Sequence, residues 1–555
     1  MNAQNPDTAA SVAPAGRESA TVSGPALSGS PDAPASITEG RASLGIELGS
    51  TRIKACLIGP DAEVIATGSH EWENVYADKL WTYSLDAVWE GLQAAYAELV
   101  QNVQQQFGVT PERCAAMGVS AMMHGYLAFD ADGELLAPFR TWRNTNTGVA
   151  AAELTELLGV NIPLRWSIAH LHQAVVDAEP HVPEIRFLTT LAGYVHWKLT
   201  GEKVLGVGDA SGMFPIDSAT GDYDAELVAR YDALAAGRVP ALKDLLPQSL
   251  VAGTSAGNLT DEGALLLDPS GTLRPGIPFA PPEGDAGTGM VATCAVAPRT
   301  GNVSAGTSIF AMVVLERPLS EVHHELDLVT TPAGDAVAMV HCNNGASELA
   351  AWANMFTAFA AAAGTPVPPD ATYAALFDAA LSGEPDAGGL LAYNHLAGEP
   401  IAGLDEGRPL VVRTPDSRLT LPNFMRAQLY GVFGTLALGM DVLHGEGVQL
   451  DRMYAHGGMF RTAGVAQRFL AAALDAPVAV AETASEGGAW GIAVLAAYVV
   501  DGQGRDLDTY LREAVFADAP IVTADPDPAD VAGFSTYLDR YRAGLAVEAA
   551  AVASL

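Results

Sequence analysis

Cysteine is scarce in this chain: 555 residues contain Cys56, Cys114, Cys294 and Cys342, with no CxxC spacing among them. That excludes a disulfide scaffold and a cysteine-built zinc site, and it fits buried thiols in a reducing compartment. Positive charge is scarce too, with 29 Lys and Arg against 65 Asp and Glu, a net charge of -36. Nucleic-acid backbones and anionic membrane surfaces are therefore poor partners for the chain, although a local site or Mg2+ can still hold a small anionic substrate. No uninterrupted apolar run approaches the ~18 residues of a membrane-spanning helix. Residues 1–42 carry few large apolar side chains and lack the basic start and continuous apolar core of a signal peptide. They read as a disordered tail, and the protein as cytoplasmic.

Hydrophobic residues make up 49% of the sequence, enough core for roughly two to four domains at this length. Patterning begins at residue 43. SLGIEL (43–48) reads as a strand, Gly49-Ser50-Thr51 as a turn, and residues 53–58 and 64–66 as two further strands. A tight glycine and hydroxyl turn exposes backbone N–H groups that can cradle phosphate oxygens, or it simply reverses the chain. Residues 85–107 have helical periodicity (Val88, Leu92, Tyr96, Leu99, Val103) and stop at Gly108. CAAMGVSAMMHGYLAF (114–129) then reads as a buried strand, a turn at His124-Gly125 and another strand. Such alternation belongs to an α/β domain. His124 ends a buried strand, where sites form in open α/β sheets and where a satisfied core histidine is equally at home. Arg140, Trp142, Arg143 and Asn144 cluster in the next loop. His170 and His172 are spaced as His-x-His, but Asp177 is the only acid close by, a poor metal set.

The opening pattern returns in GNVSAGTSIFAMVVLERP (301–318): strand, Gly306-Thr307-Ser308 turn, strand, an internal repeat of the first hairpin. Residues 345–362 read as a helix whose Trp352 and Phe356 stripe belongs to the core, and 421–447 as an amphipathic helix. Residues 450–478 read as strand, Gly457-Gly458 turn, helix. That glycine pair either makes a plain tight turn or lets an adenine or ribose lie on the backbone. Residues 483–500 begin with Glu486-Gly487-Gly488 and run into a small-residue helix, and an acidic, alanine-rich helix closes the chain. Between the two hairpins lies PPEGDAGTGM (281–290), followed by a small-residue helix over 290–297. Asp285 in this stretch is either a helix N-cap or, given the hairpins on both sides, a carboxylate that does chemistry.

Taken in order, GIELGSTRIKACLI, GVSAMMHG, GDAG, VSAGTS, AHGGMFRTAGVAQRFLA and ASEGGAWGIAVLAA resemble the FGGY family of carbohydrate kinases, within the actin-like ATPase superfamily, over about residues 44–500. The resemblance implies an α/β fold of two actin-like (ribonuclease H-like) domains, each a mixed sheet flanked by helices, with an interdomain cleft. Residues 43–287 would bind sugar and 288–555 ATP. It implies that Asp285 is the general base, that Gly49, Ser50, Thr51, Gly306, Thr307 and Ser308 cradle ATP phosphates, and that Gly457 and Gly458 face the adenosine. Met123, His124 and Trp142 would line the sugar pocket, Glu47 and Asp285 would serve Mg2+, and a homodimer is common in the family. The MHG triplet is similar to that of xylulokinases and points to a ketopentose. Two departures stand out: Glu47 replaces an Asp usual in the family, and TWRNTNT lacks the acidic residue usual in xylulokinases. L-Ribulose therefore stands beside D-xylulose as the expected substrate. A kinase for glycerol, gluconate or another sugar, or a non-catalytic nucleotide or sugar sensor, are the competing readings.

Overall fold

The computed structural model of the protein describes residues 32–461, 464–481 and 487–554. Residues 1–31 of the expected tail, Thr462 and Ala463, and Glu486 lie outside them. The end of that tail is structured: Ala33–Thr38 is a helix with Ala33 and Ile37 buried, because those two side chains give even this sparse segment an apolar face.

Two mixed sheets carry the fold. The first runs in the order Glu283–Gly284, Met117–Ala121, Ser43–Leu48, Arg52–Ile58, Val64–Glu71. The second runs Leu326–Thr330, Ala336–Cys342, Ile309–Val314, Thr300–Ala305, Arg452–His456, Val478–Ala481, Ile521–Ala524. Each is built on the same plan. A hairpin pairs antiparallel with a third strand on one side, and its first strand pairs parallel with a fourth on the other. The repeated Gly-Ser-Thr and Gly-Thr-Ser turns thus mark a repeated topology. The helix over 85–107 ends at Leu85–Phe107 as its periodicity demands, with Ser84 accepting a hydrogen bond from Ala87 N–H at the start and left-handed Gly108 at the end.

Three expectations are corrected by packing. The helix after the central stretch is Asp285–Ala292 rather than 290–297, since this stretch packs closely against the Gly487–Asp501 helix. A Cβ at Gly491 would stand 2.2 Å from the Thr288 carbonyl oxygen of the Asp285–Ala292 helix. The Leu421–Gly445 helix is not amphipathic: residues 425–437 are buried without a break, because the second sheet and other helices enclose it. Its buried Arg426 is neutralised by Asp530 at 2.9 Å. Trp352 and Phe356 are only half-buried and pack edge-on to Phe424, with Phe359 beside them 71% exposed.

The division at 287/288 runs through the Asp285–Ala292 helix. The chain also crosses back late in the sequence, where the Gly487–Asp501 helix packs on strands Ser43–Leu48 and Met117–Ala121 of the first sheet. Both helices converge on one spot between the sheets.

Candidate active site

A cavity of about 370 Å³ opens there, with Asp285 at its floor. Asp285 begins its helix but does not cap it; Gly284 holds the N-cap position. Its Oδ1 instead accepts the N–H of Met123 at 3.1 Å. Solvent reaches the carboxylate, yet protein surrounds it closely enough that burial raises its pKa above the usual range. The turn that delivers Met123 is strained: His124 has φ 70°, outside the range most side chains prefer. The ring fits because residue 212 is glycine, where a Cβ would stand 2.6 Å from His124 Nδ1. Burial pushes His124 well below its ordinary pKa, so the imidazole is neutral.

Glu47 lines the same cavity. Its strand partners Lys54 and Ser120 are set by register, and the start of the Gly487–Asp501 helix presses against its carboxylate, leaving no room for a side chain at 488. Burial raises its pKa to about 7, with the negative charge of Asp285 adding to the effect and Lys54 opposing it. Behind the floor sit two further acids. Glu283 accepts the N–H groups of Gly208 at 3.3 Å and Asp209 at 3.0 Å, and Asp209 accepts the Thr190 hydroxyl at 2.6 Å. Burial drives Asp209 up to about 7 and Glu283 up to about 8.

The two repeated turns meet this cavity through Ser50 and Ser308. In both, the carbonyls are tied back into the fold. Gly49 O accepts Trp72 Nε1–H at 2.7 Å and Ser50 O accepts the Tyr83 hydroxyl at 2.5 Å. At the equivalent places, Gly306 O accepts Ala346 N–H at 2.8 Å and Thr307 O accepts Gly345 N–H at 2.7 Å. The glycine amides are engaged too, Gly49 N–H on Arg52 O and Gly306 N–H on Ser308 O, both at 3.0 Å. Against expectation these two glycines close their turns, and the amides left to face an anion are those of Ser50, Thr51, Thr307 and Ser308.

Of the residues singled out from the sequence, Glu47, Ser50, Met123, His124, Trp142, Asp285 and Ser308 line the one cavity. Gly49, Thr51, Gly306 and Thr307 belong to the turns but do not line it. Gly457 and Gly458 lie outside it too: Gly457 has φ 113°, and a Cβ there would meet Ala305 O at 2.3 Å, whereas a Cβ at Gly458 meets nothing within 4 Å. His170 and His172 are separated by surroundings: His172 bonds Glu153 at 3.0 Å, while His170 packs near Tyr126. Sequence reasoning missed Arg165, Asn302, Phe310, His341 and His456, all of which line the cavity. Arg165 reaches across the cleft to pair with Asp327 on the second sheet. A signal was available for one of them: His341 interrupts the otherwise apolar strand Ala336–Cys342.

Two family models match most of the chain: the N-terminal domain of the FGGY family of carbohydrate kinases over residues 42–291 and its C-terminal domain over residues 301–500. The chain belongs to the FGGY family of carbohydrate kinases. Among curated relatives, the xylulose kinase of Escherichia coli is 25% identical over 448 residues, 76% of this chain and 82% of that protein. A glycerol kinase of Gloeobacter violaceus is 27% identical over 255 residues, 42% of this chain and 49% of that protein, so the match spans about half its length. The solved structure of ligand-bound xylulose kinase from Lactobacillus acidophilus superposes with a TM-score of 0.74 at 18% identity, covering 91% of this chain and 98% of that one. The fold is therefore the two-domain α/β fold of these FGGY kinases, actin-like in architecture. Among the described residues no helix is long and apolar enough to cross a membrane.

Proposed function

We propose that this FGGY-family member transfers the terminal phosphoryl group of ATP to a hydroxyl of a ketopentose, L-ribulose or D-xylulose. One observation carries the reading: the Asp285 carboxylate shares its cavity with Ser50 and Ser308 from the two anion-binding turns and with Met123, His124 and Trp142 on the other side. Residues 43–287 supply the sugar side, and the second sheet supplies the nucleotide side.

Phosphoryl transfer leaves the protein little covalent work beyond alignment and charge stabilisation. Asp285 accepts the proton of the attacking hydroxyl, and its raised pKa brings its basicity closer to that task. The amides of Ser50, Thr51, Thr307 and Ser308 in the two turns hold phosphate oxygens. Glu47 and Asp285 fit Mg2+, which keeps several waters and needs only one or two carboxylates beside phosphate. Among the described residues no group of three or more ligating side chains builds a closed cage, in keeping with that open mode. When bound, Mg2+ would neutralise phosphate charge. Closure of the cleft over the sugar would exclude water from the transfer.

The test is ADP release, coupled to a spectroscopic readout, across L-ribulose, D-ribulose, D-xylulose and L-xylulose. One pentulose should stimulate release well above the ATP-only rate. The glycerol kinase relative favours a second reading, a polyol acceptor, so glycerol belongs in the same panel. If no acceptor stimulates release, the kinase reading fails and a nucleotide or sugar sensor takes its place.

A further inference from the structure

The cavity wall facing Asp285 is the second sheet, and two side chains on it carry buried polar atoms with no hydrogen-bond partner among the described residues. Asn302 is 1% exposed with both Oδ1 and Nδ2 unbonded, and Nε2 of His456 is buried and unbonded as well. Buried polar atoms are nearly always paired, so such orphans mark places that something outside the polypeptide completes. Both residues line the cavity that holds Asp285 and Glu47. Their positions are coupled by register: Asn302 lies opposite Tyr454 and Ser304 opposite His456 in parallel strands, so Asn302 and His456 share one face of the sheet.

His456 is the last residue of its strand. The next residue, Gly457, turns at φ 113° against the Ala305 carbonyl, which fixes where the imidazole starts. Burial lowers the pKa of His456, so the ring is neutral and carries a single N–H. A Lys or Arg at this point would be drawn onto the carboxylates of Glu47 and Asp285 in the same cavity. A neutral donor stays free for a ligand. The cavity contains the hydroxyl residues of both anion-binding turns but neither Gly457 nor Gly458, so the imidazole faces the reacting end of the nucleotide rather than its base.

We propose that His456, backed by Asn302, donates a hydrogen bond from Nε2 to the phosphoryl oxygens passing from ATP to the sugar. The inference rests on the kinase reading above. His456 keeps its proton throughout. The sugar oxygen forms the new P–O bond, the bond to the ADP oxygen breaks, and the hydroxyl proton goes to Asp285. Removing one such donor from a transfer site typically lowers kcat about 10²–10³-fold.

His456→Ala is therefore expected to lower kcat by that factor, with the sugar KM and the ADP dissociation constant within two-fold of wild type. His456→Gln, which restores an N–H at similar reach, should recover at least ten-fold of the loss. Calorimetric titration with ADP and with a non-hydrolysable ATP analogue supplies a readout apart from turnover: His456→Ala should weaken the analogue several-fold and ADP little. A kcat within two-fold of wild type in His456→Ala, no recovery in His456→Gln, or equal weakening of ADP and the analogue overturns the proposal. Wild-type protein that no acceptor stimulates would sink the kinase reading instead. His456 is then judged by the analogue titration alone, and unchanged analogue affinity in His456→Ala overturns it.

Discussion

Glu47 and Ser304 occupy the same place in the two sheets, each two residues before the glycine of its turn. Following the registers outward, Ser120 corresponds to His456, Lys54 to Phe310, and Ser69 to His341. The turns themselves have kept one chemistry in both copies, with two carbonyls held inward and the glycine amide closing the turn. The rows behind them have not. The first copy presents a carboxylate, an ammonium and two hydroxyls, and two helices pack over it, leaving Glu47 at the cavity; the second presents a hydroxyl, two imidazoles and an aromatic ring, and its His341, His456 and Phe310 line the cavity. Under the proposed function, the duplicated scaffold keeps in both halves what would hold phosphate oxygens and divides the rest, with the carboxylates on one side and uncharged side chains on the other.

That division breaks most visibly at Asp285. Asp285→Asn is expected to reduce kcat about 10²–10⁴-fold, while titration shows ADP affinity within a few-fold of wild type. Parallel loss of affinity and turnover would make the carboxylate a support for the Met123 turn and nothing more.

Next in size is the acid store behind the floor. Asp209 is 1% exposed, with Glu283 and Asp285 as the charges facing it and the Thr190 hydroxyl as its donor. Burial raises its pKa from 3.8 to about 7, so the folded state favours the protonated form. Its contribution to stability is therefore complete below the unfolded value and is lost as pH rises through about 7. Wild-type stability should fall between about pH 4 and pH 7 by an amount of order 1–4 kcal/mol, and Asp209→Asn should reduce that slope in thermal unfolding. An unchanged slope would mean that Asp209 is already ionised. Glu399 of the second half, fully buried and also raised to about 7, adds a slope of its own, so the first copy's share is what Asp209→Asn removes.

Glycines sharpen the same contrast at smaller cost. An alanine at Gly491 meets the backbone oxygen of Thr288 at 2.2 Å, whereas one at Gly439 meets a methyl of Val340 at 2.4 Å. Backbone cannot step aside and a valine rotamer can. Gly491→Ala should lose about 1–3 kcal/mol in urea unfolding, and Gly439→Ala less than about 1 kcal/mol, part of it offset by alanine's helix propensity. Equal losses would show that the helices over the first sheet are no more tightly fitted than those of the second.

The sequence made much of this legible, for reasons that differ by residue. Period-two alternation and turn glycines fixed Ser43–Leu48 and its hairpin. Period-3.6 spacing with a glycine stop fixed Leu85–Phe107 at both ends. Order along the chain, not any one motif, brought Glu47, Ser50, Asp285 and Ser308 together. What escaped depends on packing between distant segments. The helix start at Asp285 is set by contacts with residues some 200 positions later, around Gly491, and the enclosure of Leu421–Gly445 by elements from both directions along the chain. Arg165 and His341 reach the cavity only because two separate sheets face each other, and a linear pattern does not encode facing.

The smallest effect tests the comparison at its origin. Ser304 is half-buried and, unlike Glu47, does not line the cavity. Ser304→Ala should change unfolding free energy by less than about 0.5 kcal/mol and leave acceptor-stimulated ADP release within about two-fold. Glu47→Ser, which gives the first copy the residue of the second, should cost more than about ten-fold in the same assay, because it removes a carboxylate that Mg2+ would otherwise use. If Ser304→Ala costs as much as Glu47→Ser, the two rows share one task. The asymmetry of the cleft then lies in the loops around Arg165 and Trp142 rather than in the sheets.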